Sequence, residues 1–275
     1  MQNYYWLKCL MKRFLIRSIK IAAIIFVLIC GLLYSCQEKL IFFPEKLDKN
    51  YRFKFKQTFV EKNILTKDGI KLNCLWFRSD GSKGMIFYLH GNGGSLGRWG
   101  NVAKRYTDLH YDAFIIDYPG YGKSEGKIHG QEKFYNDLQT VYDTIKNLYP
   151  ENKIIVLGYS IGTGPAAKLA STNNPKLLIL QAPYYSLKDL VKHIYPIVPS
   201  FLLKYKFQTN EYLPKCKMPV VIFHGDKDEV IYYESALKLK TLFKKGDTLI
   251  TLPGMNHNGM TDNPDYVSAI TTILK

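Results

Sequence analysis

Ile154-Ile155-Val156-Leu157-Gly158-Tyr159-Ser160-Ile161-Gly162 decides the reading of this chain. Its first residues form a short apolar, β-branched run, as in a parallel strand buried on both faces. The stretch from Gly164 to Ala170 (GPAAKLA) reads as a small-residue helix able to pack close to a sheet. Between strand and helix, G-x-S-x-G becomes a tight turn that holds Ser160 in a strained conformation, with glycines where the backbone is crowded. The hydroxyl is then exposed at the carboxyl end of the strand, with the helix N-terminus behind it. G-x-S-x-G alone is common by chance and also describes an ordinary turn. The flanking strand and helix are what make Ser160 a candidate nucleophile.

A serine hydroxyl needs a base, and the base needs a group to orient it. Of the six histidines, only His257 follows a late alternating run (Thr248–Leu252) in a loop rich in Gly and Asn. A loop histidine is otherwise a solvated turn residue. The acid is sought after another apolar run, Pro219–Gly225, which leads into Asp226-Lys227-Asp228-Glu229-Val230. Asp226 sits in the turn itself, where a carboxylate caps local N–H groups. Asp228 lies further along and is assigned as the orienting acid, with Asp226 as the alternative. The order Ser160, Asp228, His257 is that of the Ser/His/Asp architecture built on a nucleophile elbow.

A fourth element follows the run Gly84–His90, which ends in His90-Gly91-Asn92-Gly93-Gly94-Ser95. Small residues there let backbone N–H groups approach a substrate oxygen. The N–H groups of Asn92 and Ile161 are therefore candidate oxyanion donors. Phosphate binding is disfavoured, because no Gly-Lys-Ser/Thr follows and Leu96 breaks G-x-G-x-x-G.

Together these motifs resemble the α/β-hydrolase superfamily from about Gln37 to the C-terminus. The resemblance rests on HGNGG (90–94), DYPGYGKSEG (117–126), GYSIG (158–162), HGDKDEVI (224–231) and GMNHN (254–258). Within the superfamily the chain looks most like the bem46-like hydrolases and the α/β-hydrolase domain-containing 17 group, often catalogued with serine aminopeptidases of the S33 type. QEKLIFFP (37–44) after an apolar leader is part of that likeness. The resemblance implies the roles given above for Ser160, Asp228, His257, Asn92 and Ile161. It further implies that His90, Asp117 and Gly120 shape the site without reacting. Proline-releasing aminopeptidases of the superfamily usually carry HGGPG and GGSWG. HGNGG and GYSIG depart from these and favour ester or thioester cleavage.

The expected fold is α/β: a mostly parallel eight-stranded sheet with helices on both faces. Strands are expected near 51–60, 70–77, 85–90, 113–117, 153–159, 177–181, 219–224 and 247–252. Helices are expected near 96–110, 130–148, 161–172, 232–244 and 262–275, with the first two strands forming an antiparallel edge. Residues 37–275 suit one domain with one core. Residues 183–218, rich in Tyr, Pro, Leu and Ile, form either a short cap insertion with an apolar side for an acyl chain or a connecting helix pair packed on the sheet.

Residues 1–36 carry Lys8, Lys12, Arg13, Arg17 and Lys20 and no acid, and Ile21–Cys36 is free of charge. Three readings fit. One is an uncleaved membrane anchor, cationic end inside, which puts the catalytic domain on the non-cytoplasmic side. Another is a cleaved lipoprotein leader, because Leu33-Tyr34-Ser35-Cys36 resembles a lipobox with Cys36 as the lipidated residue. A start at Met11 gives that leader a more usual length. The third is a plain buried helix. The net charge of +15 includes five cations from the leader and otherwise reads as a lysine-rich solvated surface. No aromatic-basic module points to nucleic acid. The five cysteines show neither C-x-x-C nor metal spacing, so no cofactor or metal is expected, and Cys74 and Cys216 are expected to be free. The expected partners are a membrane and a small-molecule or acylated substrate. Three functions compete: a membrane-anchored serine esterase or thioesterase, a serine exopeptidase or amidase, and an inactive membrane-tethered binding protein.

Overall fold

A computed structural model describes residues 2–275. The chain begins with α1 (Gln2–Ser35) and turns at Cys36 into the short α2 (Gln37–Ile41). The strands are β1 (Phe59–Leu65), β2 (Lys71–Phe77), β3 (Met85–Leu89), β4 (Asp112–Ile116), β5 (Ile154–Tyr159), β6 (Leu177–Gln181), β7 (Val220–Gly225) and β8 (Thr248–Leu252). They form one sheet in the order β1-β2-β4-β3-β5-β6-β7-β8. The β1–β2 and β2–β4 pairs are antiparallel, and every later pair is parallel. The eight-stranded, mostly parallel α/β architecture is the one the sequence leads to.

Each of β3, β4, β5, β6 and β7 is buried along its whole length. That is why they read as continuous apolar runs rather than alternating ones: helices cover both faces. The period of two still sorts their side chains between two cores. Phe87, Leu89, Val156, Leu178, Leu180 and Ile222 point to one, and Ile86, Tyr88, Ile155, Leu157, Ile179 and Phe223 to the other. The helices are α3 (Leu96–Trp99), α4 (Ala103–Thr107), α5 (Gln131–Lys146), α6 (Thr163–Thr172), α7 (Leu187–Ile194), α8 (Thr209–Tyr212), α9 (Glu234–Lys240) and α10 (Pro264–Ile273). α5, α6 and α9 cover the first core, and α4 and α10 the second. In α6 the run Ala166, Ala167 and Ala170 is wholly buried, as small residues allow.

Several boundaries differ from the sequence expectation, among them the following. The strand expected at 51–60 lies instead at Phe59–Leu65. Phe53 and Phe55 alternate with Arg52, Lys54 and Lys56 as in a strand, but they pack by their rings in a chain with Phe59 and Phe77. The helix expected at 96–110 is cut by a 3-10 turn over Gly100–Val102, and the glycine there leaves room for the Phe55 ring, which a Cβ would strike. The helix expected from 161 starts at Thr163, after a 3-10 turn over Ser160–Gly162.

The two ends of residues 183–218 belong to the first core through Tyr184, Leu187, Tyr205, Phe207 and Leu213. Its middle projects, with Ile194, Tyr195, Ile197 and Phe201 exposed. Cys74 and Cys216 are buried and free, and burial pushes the Cys216 thiol up to about 12.

Candidate active site

β5 ends at Tyr159, and the next residue carries a local backbone cost. Ser160 has φ of +52°, a left-handed conformation rarely adopted by residues with a side chain. The flanking glycines make the turn possible. A Cβ on Gly158 would lie 2.5 Å from Gly162 O and 2.7 Å from the Ala166 side chain. One on Gly162 would lie 2.3 Å from Leu89 O, on the neighbouring strand.

The Ser160 hydroxyl lies 2.9 Å from His257 Nε2, and His257 Nδ1 lies 2.7 Å from Asp228 Oδ2. All three residues are buried. A carboxylate only accepts, so Nδ1 carries the imidazole proton, and the Nε2 lone pair faces the serine O–H. Asp228 Oδ1 accepts from the N–H groups of Val230 and Ile231 at 2.9 and 2.8 Å. Burial by itself raises this carboxyl. Hydrogen bonds from His224 and His257, the positive charge His257 can carry and the Ile231 N–H outweigh that and hold it well below the usual carboxylate range. Asp226 does something else. Its Oδ1 accepts from Gly254 N at 2.7 Å and ties the β7 turn to the loop carrying His257.

Several contributors escape sequence reasoning. His224, at the end of β7, points Nε2 at Ile231 O (2.8 Å) and lies 3.2 Å from Asp228 Oδ2. Since both neighbours only accept, that nitrogen is a donor, and it braces the same carboxylate oxygen that His257 holds. Tyr159 donates its hydroxyl to the backbone oxygen of His257 and fixes the loop. Tyr184 donates to Ile161 O at 3.0 Å and lies 3.1 Å from Gly164 N, which donates to it, bracing the elbow from behind. The x of G-x-S-x-G and a lone tyrosine carry no sequence signal for such work. His224 lies within HGDKDEV and was legible only as part of that motif.

The loop after β3 lies against the elbow, since β3 and β5 are neighbours and Leu89 is in register with Gly158. The Asn92 side chain is engaged at both its oxygen and its nitrogen. Its oxygen accepts from Phe43 N (3.1 Å), Gly93 N (3.0 Å) and Tyr121 Oη (3.1 Å), and its amide donates to Ile41 O. The segment leaving α2 is thereby fastened to this loop. Parallel bridges of Pro44 to Gly94 and of Lys46 to Gly122 extend the attachment. Beneath the loop, His90 is fully buried between Trp99 and Tyr118, and its Nε2 lies 3.7 Å from Asp117 Oδ1. Burial lowers His90 to about 4 and raises Asp117 to about 8. Both groups thus favour their neutral forms. Among the described residues no cluster of His, Cys, Asp and Glu has the arrangement of a metal site.

Comparison with known proteins agrees with this architecture. The Hydrolase_4 family, described as serine aminopeptidase, S33, matches residues 80–211. Protein bem46 of Schizosaccharomyces pombe is 29% identical over 218 residues, covering 73% of this chain and 73% of its own. Uncharacterized protein R595 of Acanthamoeba polyphaga mimivirus is 30% identical over 237 residues, covering 75% of this chain and 78% of its own. Among solved structures, the esterase Pf2001 of Pyrococcus furiosus superposes with a TM-score of 0.70 at 20% identity, over 85% of this chain and 97% of that one. Motifs, topology and relatives coincide: the chain belongs to the α/β-hydrolase family, with a domain of the serine aminopeptidase S33 type and relatives of the bem46 kind.

Proposed function

We propose that the protein is a membrane-anchored serine hydrolase that cleaves a carboxylic ester or thioester through an acyl-enzyme. One observation carries the reading: the unbroken relay from Ser160 Oγ to His257 Nε2 at 2.9 Å and from His257 Nδ1 to Asp228 at 2.7 Å, mounted on a left-handed serine. In this reading Ser160 attacks the carbonyl while His257 takes its proton, and Asp228 stabilises the imidazolium that forms. The N–H groups of Asn92 and Ile161 receive the oxyanion. His257 returns the proton to the leaving group, then activates the water that releases the acid. No step calls on a cofactor.

The family label also suggests an exopeptidase, which needs a carboxylate for the substrate amine. In the insertion the acids are Asp189 and Glu211. Asp189 is held by Lys238 at 2.8 Å and by the Tyr232 hydroxyl, and Glu211 is held by Gln208. That favours ester over peptide. The anchor is α1, whose Tyr4–Ser35 stretch is apolar enough to cross a membrane and has none of its most apolar window buried. In this reading the cations on its N-terminal side stay at the cytoplasmic surface, which leaves the catalytic domain on the non-cytoplasmic face. The test is labelling by a fluorophosphonate probe, followed by turnover of p-nitrophenyl esters, acyl thioesters and aminoacyl amides. Labelling at Ser160 with turnover of esters is expected. Absence of labelling would favour the binding-protein reading, and turnover of the amides alone the peptidase.

A further inference from the structure

The middle of residues 183–218 exposes large apolar side chains that the catalytic reading does not use. Ile197 and Phe201 are 85% and 83% exposed, and Ile194 and Tyr195 stand out beside them. Exposed apolar groups this large and this close together mark a contact surface. Their position indicates which. The turn Ser200–Leu202 touches α1. Gln37, the second residue after the end of α1, donates to Leu202 O at 3.0 Å and accepts from Lys204 N at 2.7 Å. Glu38 is held by Lys204 and Tyr205, and the Lys204 ammonium lies 4.6 Å from the centre of the Tyr34 ring. The apolar projection and the end of α1 are therefore one contiguous piece of structure.

The length of the span points the same way. The charge-free run Ile21–Cys36 is 16 residues, or ~24 Å of helix, against a hydrocarbon core of ~30 Å. Of the polar residues that follow it, Gln37 and Glu38 turn into the domain, where residues 202–205 satisfy them, and Lys39 stays exposed. Leu40, in the short helix that follows, also stays exposed. The domain side of the bilayer is thus met by apolar side chains rather than by a hydrated linker. Around them Lys188, Lys192 and Lys206 are exposed and, among the described residues, form no ion pair, while Asp189 is paired with Lys238. Apolar tips with a cationic surround suit an anionic lipid surface.

We propose that residues 194–201 are a second membrane contact, an apolar lip that seats in the headgroup–acyl boundary of an anionic bilayer beside the end of α1. The proposal rests on the reading of α1 as a membrane span. It fixes the height of the catalytic domain. The chain runs from α2 straight into the clasp on Asn92, so the loop beside Ser160 is held close to the lipid surface with no flexible spacer.

The test uses the full chain in vesicles of phosphatidylcholine and phosphatidylglycerol, some with acyl-chain bromine. Ile197→Trp and Phe201→Trp report on the lip. Leu148→Trp, at an exposed position beyond the end of α5, is the control, and emission from the parent chain is subtracted. Flotation of all three with the vesicles is expected, with the indoles at 197 and 201 losing more than about half their emission to bromolipid and the one at 148 unaffected. Flotation with unquenched emission at 197 and 201 overturns the lip and leaves the anchor standing. A chain that does not float overturns both.

Discussion

At the scale of single residues, Ser160 offers the sharpest test. Ser160→Ala keeps a Cβ at φ +52°, so the strain of the elbow is unchanged and the fold should persist. Activity should fall by at least ~10³-fold, because relay members act as a unit. A variant retaining more than about a tenth of the activity would remove Ser160 from the nucleophile role. The two aspartates differ in a way that geometry makes explicit. Asp228→Asn can turn an amide N–H towards His257 Nδ1, forcing the ring proton onto Nε2, where it opposes the serine O–H. The expected loss is about 10⁴-fold. Asp226→Asn retains an oxygen for Gly254 N–H and should lose less than about fivefold, because the changed group stays in an exposed turn. Turnover of the two purified variants decides the assignment, and a dead Asp226→Asn with a near-normal Asp228→Asn would exchange the roles.

At the scale of elements, the loop after β3 stands on a buried polar pair, His90 and Asp117, and its stability should carry the mark of both. Burial depresses His90 to about 4 from 6.5. Its stabilising contribution is present above pH 6.5 and lost as pH falls towards 4. Asp117 is raised to about 8 from 3.8, so its contribution is complete below pH 3.8 and lost as pH rises through 8. Between pH 4 and 6.5 the two slopes oppose each other. From 6.5 to 8 Asp117 acts alone, and the unfolding midpoint should fall. Asp117→Asn should be flat over that window, as thermal unfolding at several pH values would reveal. An unchanged slope in the variant would assign the titration elsewhere. Much of this element was legible in the sequence. HGNGG, GYSIG and the continuous apolar runs report strong, local constraints: crowded backbone and two-sided burial. The false strand at 51–60 arose because alternating Phe and Lys look the same whether the backbone pairs in a sheet or only the rings pack. The bracing by Tyr159 and Tyr184 was hidden because it joins residues distant in sequence whose type is common in any core, and that by His224 because nothing in a local motif says which way a buried ring nitrogen points.

At the scale of the whole molecule, the decisive property is how the leader joins the domain. A tether would leave the two independent, but here the join is built from packed side chains. Phe42 is buried edge-to-face against Phe134, Tyr205 and Phe207, and its neighbours Ile41 and Phe43 hold Asn92 by their backbones. Two truncations should therefore behave differently. Removing residues 1–36 deletes the apolar helix and keeps every one of these contacts, so a soluble, active hydrolase is expected. Removing residues 1–44 also takes out Phe42, at a cost of about 3–5 kcal/mol for a buried phenylalanine, and unfastens the loop after β3. That chain should melt lower and turn over esters much more slowly. The full-length protein should sediment with membranes after a high-salt wash, and Cys36→Ala separates two ways of staying there. If α1 spans the bilayer, the substitution changes nothing. If Cys36 carries lipid, the variant loses lipid labelling and its leader is not processed. Should the 1–36 truncation still sediment with membranes, the leader would not be the sole anchor, and the exposed lip at 194–201 becomes the next segment to alter. Equal activity of the two truncations would mean that the clasp on Asn92 does not position the loop beside Ser160.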